Sequence, residues 1–326
     1  MAFTQVRIDP HVHCRDWSQA YKATIKSTMD LAHSNGVKAI FDMPNTEPPI
    51  TTNNLVEKRL ETAEKEGVTE GYYLFIGATN DERQIADAAD IVDSDPNVVG
   101  IKLFAGKSTG SLSISDRRDQ EHVYKILSEN GYTGVLAVHC EKDSLSKMDL
   151  WDPKQPRTWN EAKPPEMELE SVKDQIELAK LYEFKGVLHI CHISTPASVE
   201  QVDNARNELK ITCGATPHHL QLSTDNMKNE GGLEYKVNPP LRSPEMSSKL
   251  FHLLKEGKIN WIETDHAPHT KEEKTYHENA DVPSGIPSLE NYSALIKVLI
   301  ERGFSNRQIS DLTYNNIKHV FSKVKV

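Results

Sequence analysis

Asp9-Pro10-His11-Val12-His13-Cys14-Arg15-Asp16 closes the first apolar stretch of the chain, so that a β-rich run leads straight into a cluster of polar side chains. In an extended strand the side chains at i and i+2 point the same way, so His11 and His13 reach one spot while Val12 and Cys14 face away. Two imidazoles thereby converge on one ion. Taken alone, a His-x-His pair fits two half-exposed strand histidines equally well, and the segments downstream decide between the two readings. A pair at a strand end is also where a closed barrel of parallel strands carries its chemistry.

Working outward, β-rich runs at residues 5–9, 37–43, 72–78, 98–104, 134–139, 186–192, 209–215 and 258–265 alternate with amphipathic helical runs. Residues 18–35 carry Tyr21, Ile25, Met29 and Ala32 on one stripe and stop at Gly36, and residues 52–66 turn Val56, Leu60 and Ala63 inward. Residues 165–183 open on Pro165 with Glu166 and Glu168 in the first turn, where carboxylates complement the helix dipole. Strand followed by helix, repeated, implies right-handed crossovers and parallel strands. The expected fold is therefore α/β, a TIM (β/α)8 barrel forming a single domain over residues 1–326 and closed by helices at 288–302 and 306–321. About 40 residues after Ala215 precede the last strand, with a helix at 244–256 that Ser243 caps, and inserts of that length usually carry function.

Composition narrows the classes. The formal charge of −10 argues against nucleic-acid and anionic-membrane partners, both of which need clustered Lys and Arg, while the longest basic run is a pair. No apolar run approaches the roughly 20 residues that span a bilayer, and no basic segment followed by an apolar one opens the chain, so a cytoplasmic protein is expected. Four cysteines, Cys14, Cys140, Cys191 and Cys213, are too sparse for a disulfide framework and read as buried reduced thiols.

The ends of the expected strands carry the polar residues: His11 and His13 on the first, Asp42 and Asn45 after the second, Lys102 in the fourth, His139 on the fifth, His192 on the sixth and Asp265 on the eighth. His189 and His192 are three apart and so face opposite sides of a strand, and His192 is taken as the inward one because it lies at the strand end. The same parity turns Cys140 and Cys191 toward the helices. Lys102 sits in an otherwise apolar strand, where an unpaired ammonium is strongly unfavourable. It either pairs with a carboxylate such as Asp265 or combines with carbon dioxide to give a carbamate, an anionic ligand able to bridge two divalent ions. Four imidazoles and a carboxylate exceed what one tetrahedral zinc takes, which favours two ions about 3.5 to 4 Å apart.

Six motifs together resemble the dihydroorotases of the amidohydrolase superfamily. They are Asp-Pro-His-Val-His-Cys-Arg-Asp at 9–16, Met-Pro-Asn-Thr at 43–46, Ile-Lys-Leu-Phe at 101–104, Cys-His-Ile-Ser-Thr at 191–195, Asn-Pro-Pro-Leu-Arg at 238–242 and Asp-His-Ala-Pro-His at 265–269. The resemblance implies a cyclic-amide hydrolase of pyrimidine biosynthesis. In it, His11, His13 and Asp265 hold one Zn2+, His139 and His192 hold a second, and carbamylated Lys102 and a hydroxide bridge the two. Asp265 is then the catalytic acid/base, relaying a proton from the attacking hydroxide to the leaving amide nitrogen. Arg15, Asn45 and His269 bind the substrate carboxylate, and Asn238 with the backbone around Gly285 and Pro287 contacts the ring amides. His218 and His219 stand as candidates behind the ligands. The larger members wrap both termini into a β-sandwich, but ten residues precede His11, so a barrel without that domain is expected. A threonine-bearing loop at 107–113 is the candidate to close over substrate. The small-molecule substrate is the expected partner, with a homodimer and an association with aspartate transcarbamoylase as the protein partners the family admits. Two alternatives remain: a hydantoinase or allantoinase with the same ions and a different ring, for which Arg15 would lack a carboxylate, and a catalytically silent assembly subunit, which should have lost ligands.

Overall fold

Eight parallel strands pair in chain order around one sheet: β1 (Arg7–Val12), β2 (Val37–Asp42), β3 (Tyr72–Gly77), β4 (Val98–Ala105), β5 (Val135–Cys140), β6 (Val187–Ile190), β7 (Ile211–Ala215) and β8 (Trp261–Ile262). The structure is a computed structural model that describes residues 6–108, 110–228, 230–277 and 281–326. The expected start of the first strand at residue 5 and residue 109 of the expected closing loop lie outside the described residues. β8 pairs with β7 at only two positions, and the seam to β1 is completed differently. A parallel bridge joins Val12 to His266, the His13 N–H donates to the His266 carbonyl at 2.8 Å, and the Asp9 carboxylate accepts from the backbone N–H and hydroxyl of Thr264 at 3.0 and 2.6 Å. Side chains thus replace ladder bonds where the last strand is short.

Alternation along the strands divides the core into two layers. Ile8, Phe41, Phe75, Val135, Ala137 and Trp261 fill the N-terminal half of the barrel, where Ile317, Phe321 and Val324 from the last residues close it from below. Phe321 meets Phe41 edge-on at a ring separation of 4.9 Å and Trp261 at 6.0 Å. Between strands and helices lies the larger layer, including Val12, Ile40, Leu74, Leu103, Leu136 and Ile190 against Ile25, Val56, Val123, Val172 and Val199. A third cluster sits over the C-terminal rim, where Trp159 and Ala162 from the loop after β5 pack on Met227, Val237 and Leu241 from the insert after β7.

The helix expected over 18–35 is shorter. It runs over Ile25–Ser34, with Thr24 and Ser27 forming a reciprocal capping box, and Tyr21 is exposed rather than on the buried stripe. The segment before it is held in a tight excursion because Arg15, Asp16 and Trp17 all take positive φ and the Asp16 carboxylate accepts from the N–H groups of Trp17 and Ile25. Helices Asn53–Lys65, Pro165–Leu181 and Pro244–Lys255 form as expected, the first capped by Thr52 and the last by Ser243. The span 306–321 is broken into Asn306–Ser310, a π-turn and Asn316–Val320.

Replacing Phe321 with alanine should destabilise the fold by about 3–5 kcal/mol, since the ring fills the barrel floor and its removal leaves a cavity that rigid strands cannot close. Urea unfolding measures this, and a wild-type midpoint would mean that the C-terminal residues do not seal the barrel.

Candidate metal centre

His11 and His13 project from the end of β1 to the inside of the barrel, and both reach the carboxylate of Asp265 across the seam. His13 Nε2 lies 2.9 Å and His11 Nε2 3.4 Å from Asp265 Oδ1. His139, on β5, and His192 face the same space, with His139 Nδ1 3.2 Å from His192 Nε2 and the rings of His11 and His192 5.1 Å apart. One pocket is lined by His11, His13, Arg15, Asn45, His139, His192, Asn238, Asp265 and Gly285 together with Phe104, Ser108, Val237, Ala267 and Ser284. His11, His13, Asn45, His139, His192 and Asp265, drawn from across the sequence, therefore meet at one mouth, while Asp42 and Lys102 are not among its lining residues. His192 and Asp265 both hold positive φ, as do Arg15 and Asp16, so the backbone bends away from the strand direction at the rim to aim these side chains.

The donor set fits a divalent cation. Ligand atoms of His11, His13 and Asp265 all lie within 4.8 Å of one another. Burial, reinforced for His11 by Lys102 and for His192 by His139 and Lys102, pushes both imidazoles well below their usual range, which is the neutral form that metals bind. Nδ1 of His192 is buried without a hydrogen-bond partner among the described residues, as a ligand nitrogen awaiting an ion would be. His11, Cys191 and Glu263 also lie within 4.8 Å, but Glu263 is committed elsewhere. It accepts from Trp261 Nε1 at 3.0 Å and from the His192 N–H, and it pairs with His189 at 2.9 Å. Burial alone would lower His189, yet Glu263 outweighs it and raises the imidazole to about 9.

Two expectations about direction fail. Cys191 faces into the barrel, not toward the helices, and accepts from Lys102 Nζ at 3.0 Å, whereas Cys140 does pack in the outer layer. His189 and His192 both point inward. Parity itself holds through Cys191, since His189 and Cys191 are two apart and both face in while Ile190 between them packs outward. The break comes at His192, beyond the end of β6, where φ 37° turns that side chain inward as well. Asp42 turns outward, opposite to its neighbours Phe41 and Met43, and accepts from Arg59 at 2.7 Å, Tyr72 OH at 2.7 Å and the Cys14 N–H at 2.9 Å. Lys102 is fully buried, with no carboxylate of the described residues in ion-pair range, so its expected pairing with Asp265 is not formed.

Arg15 is also a buried cation, 4% exposed, and no carboxylate of the described residues lies within 4.0 Å of it. Its Nε donates to the Pro268 carbonyl at 3.1 Å and its Nη2 lies 3.0 Å from His269 Nε2. Asn45 Oδ1 is 2.8 Å from His13 Nδ1 and so orients a ligand histidine as well as lining the pocket. Gly285 holds φ 151°, and a Cβ there would meet the Ala267 carbonyl at 2.6 Å. Pro287 is not among the pocket-lining residues; its carbonyl faces His266. His219 lies against the Pro239 carbonyl at 2.9 Å and His218 against Ser288 Oγ at 2.5 Å, one layer behind the pocket.

Two carboxylates escaped the sequence reading. Glu141 Oε2 lies 3.2 Å from His139 Nε2 and accepts from Lys163 at 2.6 Å; burial would raise its pKa, but Lys163 and His139 hold it down at about 2. Glu263 and Glu141 each stand two positions from a recognised ligand, Asp265 and His139, so the i, i+2 rule applied to His11 and His13 would have found both.

No family model matches the sequence. A dihydroorotase from Halobacterium salinarum is 32% identical over 315 residues, covering 96% of this chain and 71% of the relative. A dihydroorotase from Thermococcus kodakarensis is 33% identical over 296 residues, covering 91% of this chain and 63% of its own length. The chain thus spans roughly two thirds of the length of these curated relatives. Among solved structures, an L-hydantoinase (dihydropyrimidinase) from Arthrobacter aurescens superposes with a TM-score of 0.83 at 21% identity, over 97% of this chain and 70% of that one. A dihydroorotase from Campylobacter jejuni superposes with a TM-score of 0.71 at 19% identity, over 98% and 84%. At such identities the structural likeness speaks for the barrel fold alone.

Gly214 faces the Glu263 carboxylate so closely that a Cβ would lie 2.4 Å from its carboxyl carbon. Gly214→Ala should therefore push Glu263 off the His192 N–H, lower the melting temperature and reduce the metal retained per chain after dialysis. Wild-type values of both would show that Glu263 does not hold the His192 turn.

Proposed function

This chain belongs to the dihydroorotase family, and from that premise we propose that it interconverts (S)-dihydroorotate and N-carbamoyl-L-aspartate in pyrimidine biosynthesis. The observation that carries the substrate choice is Arg15: a buried guanidinium without a carboxylate partner is strongly unfavourable unless a ligand brings the anion. Dihydroorotate carries such a carboxylate, and the planar fork of Arg15 suits bidentate capture. Hydantoin and allantoin do not carry one.

His11, His13 and Asp265 would hold one divalent ion and His139 with His192 a second, with Lys102 as a carbamate between them. Imidazole and carboxylate donors in this number suit zinc. When bound, such ions supply an activated water at neutral pH and an electrophile for the ring carbonyl. Lys102 supports the bridging role because, unmodified, its ammonium is buried against only the Cys191 thiol and the face of Phe104 at 5.1 Å. Its ammonium would lose one proton to become the amine, which would bond to the carbon of carbon dioxide and release a second, exchanging a buried cation for an anion.

The chain's own residues then do the following. Arg15, Asn45 and His269 bind the carboxylate and fix the ring over the histidine cluster. Asn238 and the backbone at Gly285 orient the ring amide. Asp265 accepts the proton of the attacking water as its oxygen bonds to the carbonyl carbon, and delivers it to the amide nitrogen as the C–N bond breaks. The loop after β5 and the insert after β7, joined through Trp159 and Val237, narrow access for bulk water. The four buried, unpaired cysteines suit a reducing compartment, which supports the cytoplasm.

Assay of the purified protein with dihydroorotate, hydantoin and allantoin tests this reading; turnover of dihydroorotate alone is expected, and preference for either other ring would replace it with the hydantoinase alternative. Arg15→Met should raise KM for dihydroorotate by about 100-fold, of the order of one charged bidentate contact, while metal content stays at the wild-type level. Lys102→Ala should lose most bound metal and activity, with partial recovery in short carboxylic acids, as read by metal analysis and turnover. Full activity without the added acid would remove Lys102 from the bridge.

A further inference from the structure

His269 presents each ring nitrogen with one donor and one acceptor, which leaves the ring two arrangements. At Nδ1 lie Lys22 Nζ, 3.3 Å away, and Glu273 Oε2 at 3.4 Å; at Nε2 lie Arg15 Nη2 at 3.0 Å and the Ser284 carbonyl at 3.2 Å. Burial, with the Arg15 and Lys22 cations beside it, pushes His269 down to about 3, so the ring is neutral and carries a single proton. With the proton on Nδ1, His269 donates to Glu273 and its Nε2 consumes an Arg15 N–H. With the proton on Nε2, the ring donates to Ser284 and accepts from Lys22, but it meets Arg15 Nη2 donor to donor at 3.0 Å, a conflict that an anion accepting from both N–H groups relieves.

We propose that Lys22 is a positioning residue of the carboxylate pocket: by donating to Nδ1 it holds the His269 proton on Nε2, so that His269 and Arg15 both present N–H groups to the substrate carboxylate. Glu273 is the weaker claimant on Nδ1 because its Oε2, 3.4 Å away, makes no hydrogen bond to the ring, whereas Lys22 Nζ is in hydrogen-bond range at 3.3 Å. Oε1 accepts from Lys22 at 2.9 Å and Tyr21 OH at 3.0 Å, and Oε2 from the Thr270 N–H at 3.0 Å. Lys22 spends one of its three protons on Glu273 and keeps another for Nδ1. The Ser284 carbonyl, a neutral acceptor, yields readily to an ionised one. Lys22 itself does not line the pocket. Only the identity of the anion rests on the dihydroorotase reading; the tautomer does not.

The test is long-range 1H–15N correlation spectroscopy of metal-loaded protein labelled at histidine, with His269 assigned through H269Q. With dihydroorotate bound, the wild type is expected as the Nε2–H tautomer, K22M as Nδ1–H or a mixture, and K22R as wild type. In kinetics K22M should raise KM for dihydroorotate about tenfold with kcat changed less than about twofold, a split that general loosening of the loop would not produce. An Nδ1–H ring in the dihydroorotate-bound wild type overturns the proposal without any variant, as does a K22M protein with unmoved tautomer and KM. A wild type that ignores dihydroorotate sinks the substrate reading, while the spectra still decide the role of Lys22.

Discussion

The seam between β1 and β8 is the constraint on which the mouth of the barrel depends. His13 and Asp265 are 252 positions apart and 2.9 Å from contact, and nothing local in either segment could arrange that. The geometry comes from closure: the Val12–His266 bridge and the bonds from Thr264 to Asp9 fasten the last strand to the first, although β8 itself is only two residues long. Asp9, Pro10 and His11 lie where the β1–β2 register slips, so β1 deviates from regular pairing just below its two ligand histidines. A ligand cluster assembled across the point of closure is therefore only as well ordered as the barrel is closed.

Several buried charges are neutralised within the fold. Asp42 is neutralised by Arg59 and Tyr72, Glu263 by His189, and Glu141 by Lys163. Glu168 accepts from the N–H and hydroxyl groups of both Ser194 and Thr195 and so clamps the turn that follows His192. In each case the partner comes from another part of the chain, whether the group faces the helices, as Asp42 does, or the barrel interior, as Glu263 does. Arg15 and Lys102 are buried without a carboxylate of the described residues within 4.0 Å, as are Arg7, Arg242 and Lys274, but Arg15 lines the pocket and Lys102 packs on Phe104, which lines it too. A folded chain tolerates such groups where a ligand or a modification completes them, which is why function is read from these two.

Alternation of strand and helix, the placement of His11, His13, His139 and Asp265 at strand ends, and the insert after Ala215 were all legible, because periodicity and strand polarity are local properties that parallel closure converts into a shared rim. Parity held along the strands, as at Cys140 and between His189 and Cys191, and failed at His192, where the backbone had left the strand. Glu141 and Glu263 were legible in principle from the same i, i+2 rule. Lys22 was not, because its link to His269 spans 247 positions and depends on how two rim loops happen to meet.

What the sequence by itself determined is the class of fold and the inventory of donors at its rim, since residue period, caps and strand ends are written in neighbouring positions. Tertiary structure alone decided which way His192 points, which cations lack a counter-charge, and which nitrogen of His269 meets Lys22. Those outcomes are set by left-handed turns and long-range packing, where the orientation of a side chain is imposed by partners far away in the chain.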